Sequence, residues 1–369
     1  MSQHRTSILA CAWAASSAVS VCAALSLCVA CGAVSGAPPK GADDVPPPEE
    51  AAAMKEVGEQ AAGLIVWSSS RIGNHDLFTM KTDGSDVKAI TSGDAVDWFP
   101  RFSPDGTQIL FNRSKQGWVS ERDANASDKW DVYTIAPDGT NERKVVDSAS
   151  WASWLSNDEI LYVRGTKIFR KKLDGDELQI MDSEGVKDLD GALLQQPELS
   201  GDGKYLAITL RGSKRETGLW DIEKQKWTQT GLGCQINWTP DQTGIYWVHP
   251  TGNGGSRILS MPITAGTPPQ DPSLDDLQLM DLPGRRSHEY FPELSKDGKW
   301  LVWAATQRGH DHDTADYEIY LWQVGSPPDK AVRLTHNSGN DRWPDLFLPS
   351  AAAAPPAPVA AQQSEKNAP

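Results

Sequence analysis

Short apolar runs recur along this chain at near-regular intervals, each closed off by turn-forming residues. One set reads Gln108-Ile-Leu-Phe111, Glu159-Ile-Leu-Tyr162, Tyr205-Leu-Ala-Ile208, Gly244-Ile-Tyr-Trp247 and Trp300-Leu-Val-Trp303. Runs this short, rich in β-branched and aromatic residues, suit strands buried on both faces. A second set follows each after a loop, including Asp76-Leu-Phe-Thr79, Asp131-Val-Tyr-Thr134, Gly218-Leu-Trp-Asp221 and Glu318-Ile-Tyr-Leu321. Several of these lead into Asp-Gly pairs, at Asp83-Gly84, Asp138-Gly139 and Asp174-Gly175. Asp-Gly favours a tight hairpin, because the turn needs backbone conformations that few residues adopt cheaply. Segments such as Val87-Lys-Ala-Ile90 and Val332-Arg-Leu334 supply a further strand.

The pattern is an internal repeat. Six segments superpose: Trp98-Phe-Pro-Arg-Phe-Ser-Pro-Asp-Gly106, Ala152-Ser-Trp-Leu-Ser-Asn-Asp-Glu159, Gln196-Pro-Glu-Leu-Ser-Gly-Asp-Gly203, Ile236-Asn-Trp-Thr-Pro-Asp-Gln242, Tyr290-Phe-Pro-Glu-Leu-Ser-Lys-Asp-Gly298 and Arg342-Trp-Pro-Asp-Leu-Phe347. Their matched apolar positions, Phe102, Leu155, Leu199, Trp238, Leu294 and Leu346, lie 53, 44, 39, 56 and 52 residues apart. A period of this size marks a propeller or array, and four antiparallel strands per repeat make a propeller blade. Leu64 to Thr91 lacks a first strand, and Arg342 to Leu348 supplies one with nothing after it. The two ends complete a sixth blade between them. The fold class is therefore all-β: a six-bladed β-propeller spanning 63–348, closed by a C-terminal first strand.

The Phe-Pro-Arg-Phe-Ser-Pro-Asp-Gly106 unit, followed by Ile109-Leu-Phe111 and Asp131-Val-Tyr-Thr-Ile-Ala-Pro-Asp-Gly139, resembles the repeat of TolB-type β-propellers. The resemblance covers Leu64–Leu348 and implies the fold and a place in the bacterial cell envelope. TolB carries an N-terminal α/β domain before its propeller, and here only a short segment precedes the ring. Propellers host many functions, so the activity does not follow from the fold.

Outside the ring the composition changes. Arg5 precedes an uncharged run rich in Ala, Val, Leu, Ser and Cys from Thr6 to about Ala33, the pattern of an export signal. Its end, Leu27-Cys-Val-Ala-Cys-Gly32, resembles the bacterial lipoprotein signal, which implies cleavage after Ala30 and lipid attachment at Cys31; ordinary signal cleavage near Gly36 and an uncleaved anchor are the alternatives. Residues 1–31 are thus read as signal peptide, 32–62 as a disordered Pro/Ala/Glu-rich tether and 349–369 as a disordered Ala/Pro-rich tail. Four of the five cysteines lie within the first 31 residues, and cleavage after Ala30 leaves Cys31 and Cys234 and no disulfide framework within the exported chain. The expected location is the periplasmic side of the envelope, on the outer membrane through the lipid.

Over 369 residues the net charge is −14, which argues against a nucleic-acid partner, since phosphate binding needs clustered Lys and Arg. Fifteen tryptophans outnumber Tyr and Phe together, and those on strands, such as Trp67, Trp220 and Trp303, suit packing between blades. Asp105, Asp158, Asp202, Asp241 and Asp297 recur at one turn position and read as residues that cap their own backbone. No Gly-x-Ser-x-Gly elbow is present, and no residue is assigned a catalytic role.

Histidine placement is more telling. All six histidines beyond the leader fall in connections that emerge on one end of the ring. His75, His249 and His336, with Trp118 in a long loop, are the candidates for a partner-binding face. The densest cluster, Arg308-Gly-His-Asp-His-Asp-Thr-Ala-Asp316, together with His288, offers His288, His310, His312, Asp313 and Asp316 as candidate ligands for a divalent metal ion. Two functions follow. One is a non-catalytic envelope protein, anchored to a membrane by lipid and binding a protein or envelope polymer through this face. The alternative is a metal-dependent propeller enzyme acting on an oligosaccharide, as the fold-level resemblance to oligogalacturonate lyase implies.

Overall fold

The computed structural model describes residues 45–307, 309 and 311–349. It forms six four-stranded antiparallel sheets. Blade 1 contains β1 (Leu64–Ser69), β2 (Asp76–Lys81) and β3 (Lys88–Ala89). Blade 2 is β4 (Asp97–Phe102), β5 (Ile109–Ser114), β6 (Trp130–Ile135) and β7 (Arg143–Val146). Blade 3 is β8 (Ser150–Trp154), β9 (Glu159–Arg164), β10 (Lys167–Lys172) and β11 (Glu177–Asp182). Blade 4 is β12 (Leu193–Leu199), β13 (Tyr205–Arg211), β14 (Glu216–Asp221) and β15 (Lys226–Gly231). Blade 5 is β16 (Cys234–Trp238), β17 (Gly244–His249), β18 (Arg257–Pro262) and β19 (Gln278–Met280). Blade 6 is β20 (His288–Leu294), β21 (Trp300–Thr306), β22 (Glu318–Gln323) and β23 (Val332–Arg333). The last strand, β24 (Asp341–Phe347), pairs with β1 and completes blade 1, so the ring closes as the repeat requires.

At the lower end of the ring, the first and second strands of blades 2, 4, 5 and 6 are joined by the same turn. Asp105 accepts hydrogen bonds from the Thr107 amide (3.0 Å), the Thr107 hydroxyl (2.8 Å) and the Ser103 hydroxyl (2.7 Å). Asp202, Asp241 and Asp297 repeat this arrangement in blades 4, 5 and 6. The aspartates are turn residues, and Gly106 at φ +71° takes the left-handed position that the turn demands.

Each innermost strand contains a bulge. At the bulge, Phe99, Trp151, Gln196, Gln235, Phe291 and Trp343 all have left-handed backbone, with φ between 50° and 61°. A non-glycine residue pays roughly 1–2 kcal/mol for that conformation, so six in register need a common compensation. Four of the six find it on the axis. Trp343 of blade 1 touches Trp151 of blade 3 across the intervening blade (centroids 5.5 Å apart), and Phe99 contacts both. Phe291 lies 4.2 Å from Trp343, and all four rings are buried, closing the channel with an aromatic plug. Pro100, Pro197, Pro292 and Pro344 follow four of the bulged residues. Proline is tolerated there because an innermost strand has an unpaired edge facing the axis.

Two residues below the plug runs a polar ring of Arg101, Ser153, Glu198, Asn237, Glu293 and Asp345. Arg101 pairs with Glu293 across the axis. Burial raises the carboxyl of Glu198 to about 7 and that of Glu293 to about 8, against the pull of Arg101.

The segment before the ring departs from the expectation of a disordered tether over 32–62. Within it, Pro48–Gln60 forms a helix, α1. Proline is compatible with the first helical turn, where its missing N–H has no partner to lose, and Glu49 and Glu50 complement the helix dipole there. The helix persists because it is packed. Val57 and Ala61 are buried, Met54 lies against Gly84, Gly58 abuts Asp83, and Glu50 bonds to His336. A side chain on Gly84 would collide with the Met54 methyl, so the glycine permits this close approach. Composition alone could not separate a Pro/Ala/Glu linker from a helix whose apolar residues have a docking site. The signal peptide, Cys31 and the tail from 350 onward lie outside the described residues.

Candidate functional site: the upper loop face

The upper end of the ring is built by two long loops, 115–129 between β5 and β6 and 307–317 between β21 and β22, which meet over the axis. Ser120 donates to the Asp313 carboxylate, and the Glu121 amide donates to Asp313 Oδ1 at 3.0 Å. Nδ1 of His312 lies 2.6 Å from Glu121 Oε1. The tie between loops and ring is Arg342, at the start of the innermost strand of blade 1 and fully buried. Its Nη1 donates to Glu121 Oε2 (2.9 Å), Asp313 Oδ1 (3.1 Å) and the His312 carbonyl (2.6 Å). Trp343 Nε1 donates to the same Glu121 oxygen at 2.9 Å, linking the loops to the plug.

Burial pushes the Glu121 carboxyl upward, but His312, Arg342 and the Trp343 N–H outweigh it and hold it below the usual range. Asp313 behaves alike, with Arg342 the main opposing influence. The imidazole of His312 sits edge-on to Tyr290 (4.9 Å) and Phe291 (4.8 Å).

The five described histidines do share the upper end. His75 precedes β2, His249 ends β17, His288 opens β20, His312 lies in the β21–β22 loop and His336 in the β23–β24 connection. Their imidazoles do not share a surface. His75, His249 and His336 are buried, and of the four candidates for a partner-binding face only Trp118 is exposed, at 46%. His75 is pushed well below its ordinary pKa by burial and then by Arg342, and its Nε2 lies 3.4 Å from the Asp313 carbonyl. Burial also lowers His249, helped by Arg257.

Nor do the candidate metal ligands converge. Asp313 is committed to Ser120, Glu121 and Arg342, while Asp316 accepts from Arg286 at 2.6 Å. His312 faces Glu121, and His288 lies against Gly255 in another blade. His310 lies outside the described residues. Among the described residues, no three His, Cys, Asp or Glu side chains come together in a manner that could hold a metal ion. Burial raises the Cys234 thiol against the pull of Arg211, as befits an unreactive cysteine.

Buried carboxylic acids at the seams between blades went unread in the sequence. Burial raises Glu289 to about 9, Glu318 to about 8 with Asp341 beside it, and Asp76 to about 7 with Asp97 beside it. Asp97 is gripped by Arg113 through two bonds of 2.7 and 2.8 Å, and Asp341 by Arg71 at 2.8 Å. Asp97, Glu289 and Asp341 stand at equivalent places near the start of innermost strands. That placement was the available signal.

No family model matches the chain. Among curated proteins it is 27% identical over 146 residues to the uncharacterized protein Atu1656 of Agrobacterium fabrum, covering 36% of this chain and 46% of that one. The chain thus spans about half the length of the relative it matches. Among solved structures it is similar to a putative TolB from Agrobacterium tumefaciens (13% identity, TM-score 0.49, 78% of this chain and 98% of that one). It is also similar to TolB from Acinetobacter baumannii (15%, 0.35, 74% and 53%) and to an oligogalacturonate lyase in complex with manganese (12%, 0.42, 71% of each). TolB-type propellers are thus among the structures this ring resembles, and the likeness is one of fold.

Proposed function

We propose that the protein is a non-catalytic propeller of the bacterial cell envelope, which binds a protein or an envelope polymer through its upper loop face. The observation that carries this reading is how the ionisable groups of that face are used. Glu121, His312, Asp313 and Arg342 are bonded to one another, so these side chains are engaged in holding the two loops together rather than turned outward. What the face offers outward is loop surface with exposed apolar tips, Trp118 over blade 2 and Leu232 between blades 4 and 5. The alternative of a metal-dependent lyase has no converging ligand set among the described residues.

Export and lipid attachment at Cys31 belong to the same proposal. No described helix is long and apolar enough to cross a membrane. Capture of envelope components by the wild-type chain and by a Leu232→Glu variant tests the loop face, with thermal melting to show that the variant stays folded. At least a tenfold loss of capture is expected; equal capture by a folded variant overturns the assignment.

A further inference from the structure

The helix that replaces the expected tether fixes where the preceding chain leaves the ring. Its first turn is at the upper rim, where Glu50 bonds to His336 in the β23–β24 connection. That connection is joined directly to the β1–β2 loop. Asn340 N donates to Ser70 Oγ (2.9 Å), Ser70 N donates to the Asn340 carbonyl (3.2 Å), and Arg71 pairs with Asp341 (2.8 Å). The same loop bears Ile72, 39% exposed, and His75, whose ring stacks on exposed Trp118 at 5.9 Å. The two apolar tips therefore stand beside the point from which the chain runs back toward Cys31.

The other end of α1 is far from this rim. Thirteen helical residues rise about 20 Å, and the chain then reaches Gly63, whose carbonyl accepts from Thr82 in a lower turn.

We propose that the rim formed by blades 1 and 2, with Ile72 and Trp118 at its tips, is a membrane-contacting edge that rests on the lipid surface. The proposal rests on the reading of Cys31 as the anchor. A random coil as long as the separation of Cys31 and Pro48 in the sequence has a root-mean-square reach of roughly 20–25 Å. That suffices to lay the neighbouring rim on the bilayer. Presenting the lower end instead would use up about 20 Å more along the side of the ring.

The side-chain chemistry agrees. Tryptophan favours the boundary between headgroups and hydrocarbon, where its ring is half buried. Arg122, 79% exposed in the Trp118 loop, pairs with Asp311 through Nη2 at 2.8 Å, and lipid phosphate can reach the rest of its guanidinium. A protein of net charge −14 is repelled by an anionic bilayer. A tilted contact at one rim therefore suits it better than a whole face laid flat. The tilt raises the opposite rim, blades 4 and 5 with Leu232, toward a partner, so lipid and partner occupy different parts of the upper end. Exposed apolar residues near the lower end, Val87, Leu178 and Leu274, sit apart on blades 1, 3 and 5 and form no comparable edge.

The test uses the full chain, purified with its native modification and reconstituted in vesicles of phosphatidylethanolamine and phosphatidylglycerol. Spin labels are placed through Trp118→Cys, Ile72→Cys, Leu232→Cys or Leu274→Cys in a Cys234→Ser background. Collision with oxygen relative to a water-soluble nickel complex is then read at each site. The expected ratio is severalfold higher at 118 and 72 than at 232 and 274. Equal ratios at all four sites, on protein that remains vesicle-bound, overturn the edge. Cys31→Ser is read in parallel. Release of that variant from membranes supports the anchor. If it stays bound with position 118 still in lipid, the anchor reading fails and the edge stands. Bound protein with 118 in water overturns both.

Discussion

The two ends of the ring solve the same problem in opposite ways. At the lower end, four blades close their first hairpin with a turn of mainly local bonds, in which an aspartate accepts from an amide two positions on. Only the turns at Asp105 and Gly201 take one bond from the next blade. At the upper end, two long loops from blades 2 and 6 are held by one buried arginine from blade 1. The contrast teaches where the molecule is vulnerable. Damage at the lower end should stay local, whereas damage at Arg342 reaches two loops and the axial plug together.

The largest expected effect follows from that contrast. Arg342→Met leaves Glu121 and Asp313 buried without their shared cation, which costs about 3–5 kcal/mol in urea unfolding. Adding Glu121→Gln should recover part of the loss; a single variant as stable as wild type would show that the loops do not depend on the arginine.

Next is a pH effect at the blade seams. Folding raises the Glu289 pKa to about 9, so the native state binds the proton more tightly than the unfolded chain does. Its contribution is fully present below the ordinary glutamate range and is lost as pH rises through about 9. Glu289→Gln should therefore raise the melting temperature by several degrees at pH 8.5 and leave it nearly unchanged at pH 4. An equal change at both values would contradict this assignment. Asp105, which is held below its usual range by its turn bonds, is weakened instead as pH falls.

Removing part of the helix contact should matter less. Val57→Ala costs about 1–2 kcal/mol if α1 is docked, and it should speed proteolysis within 48–60. No change in either measurement would return the segment to a flexible linker. The smallest effect belongs to the lower end. Asp297→Ala should cost about 1 kcal/mol and leave the 115–129 and 307–317 loops as protected from hydrogen exchange as before.

The same division explains what could be read from the sequence. The turns, the strand runs and the split blade were legible because each is encoded by neighbours in the chain. The Asp-Gly pair and the apolar run after it carry their own geometry. The left-handed residues of the inner strands were half legible. Their following prolines marked the repeat, but that Phe99 and Trp343 meet on the axis depends on ring closure. The Glu121–His312–Arg342 network was not legible. Glu121 is 191 residues from His312 and 221 from Arg342, and no spacing pairs them. The reading of the histidines succeeded on which end they occupy and failed on exposure, since burial of His75 and His336 is decided by neighbouring loops and by α1. The helix itself was misread because its composition suits a linker equally well.

Closure of blade 1 by β24 also sets an order of events. Arg71 and Asp341, which clasp the seam, are 270 residues apart. A chain emerging N-terminus first must carry β1 without its inner neighbour until nearly the whole ring has been made. Blades 2 to 6 can each form from contiguous sequence as they appear, but blade 1 cannot. Its completion is a single long-range event of high contact order, and such events are slow. The late, unsealed ring is thus the species in which an open strand edge persists longest.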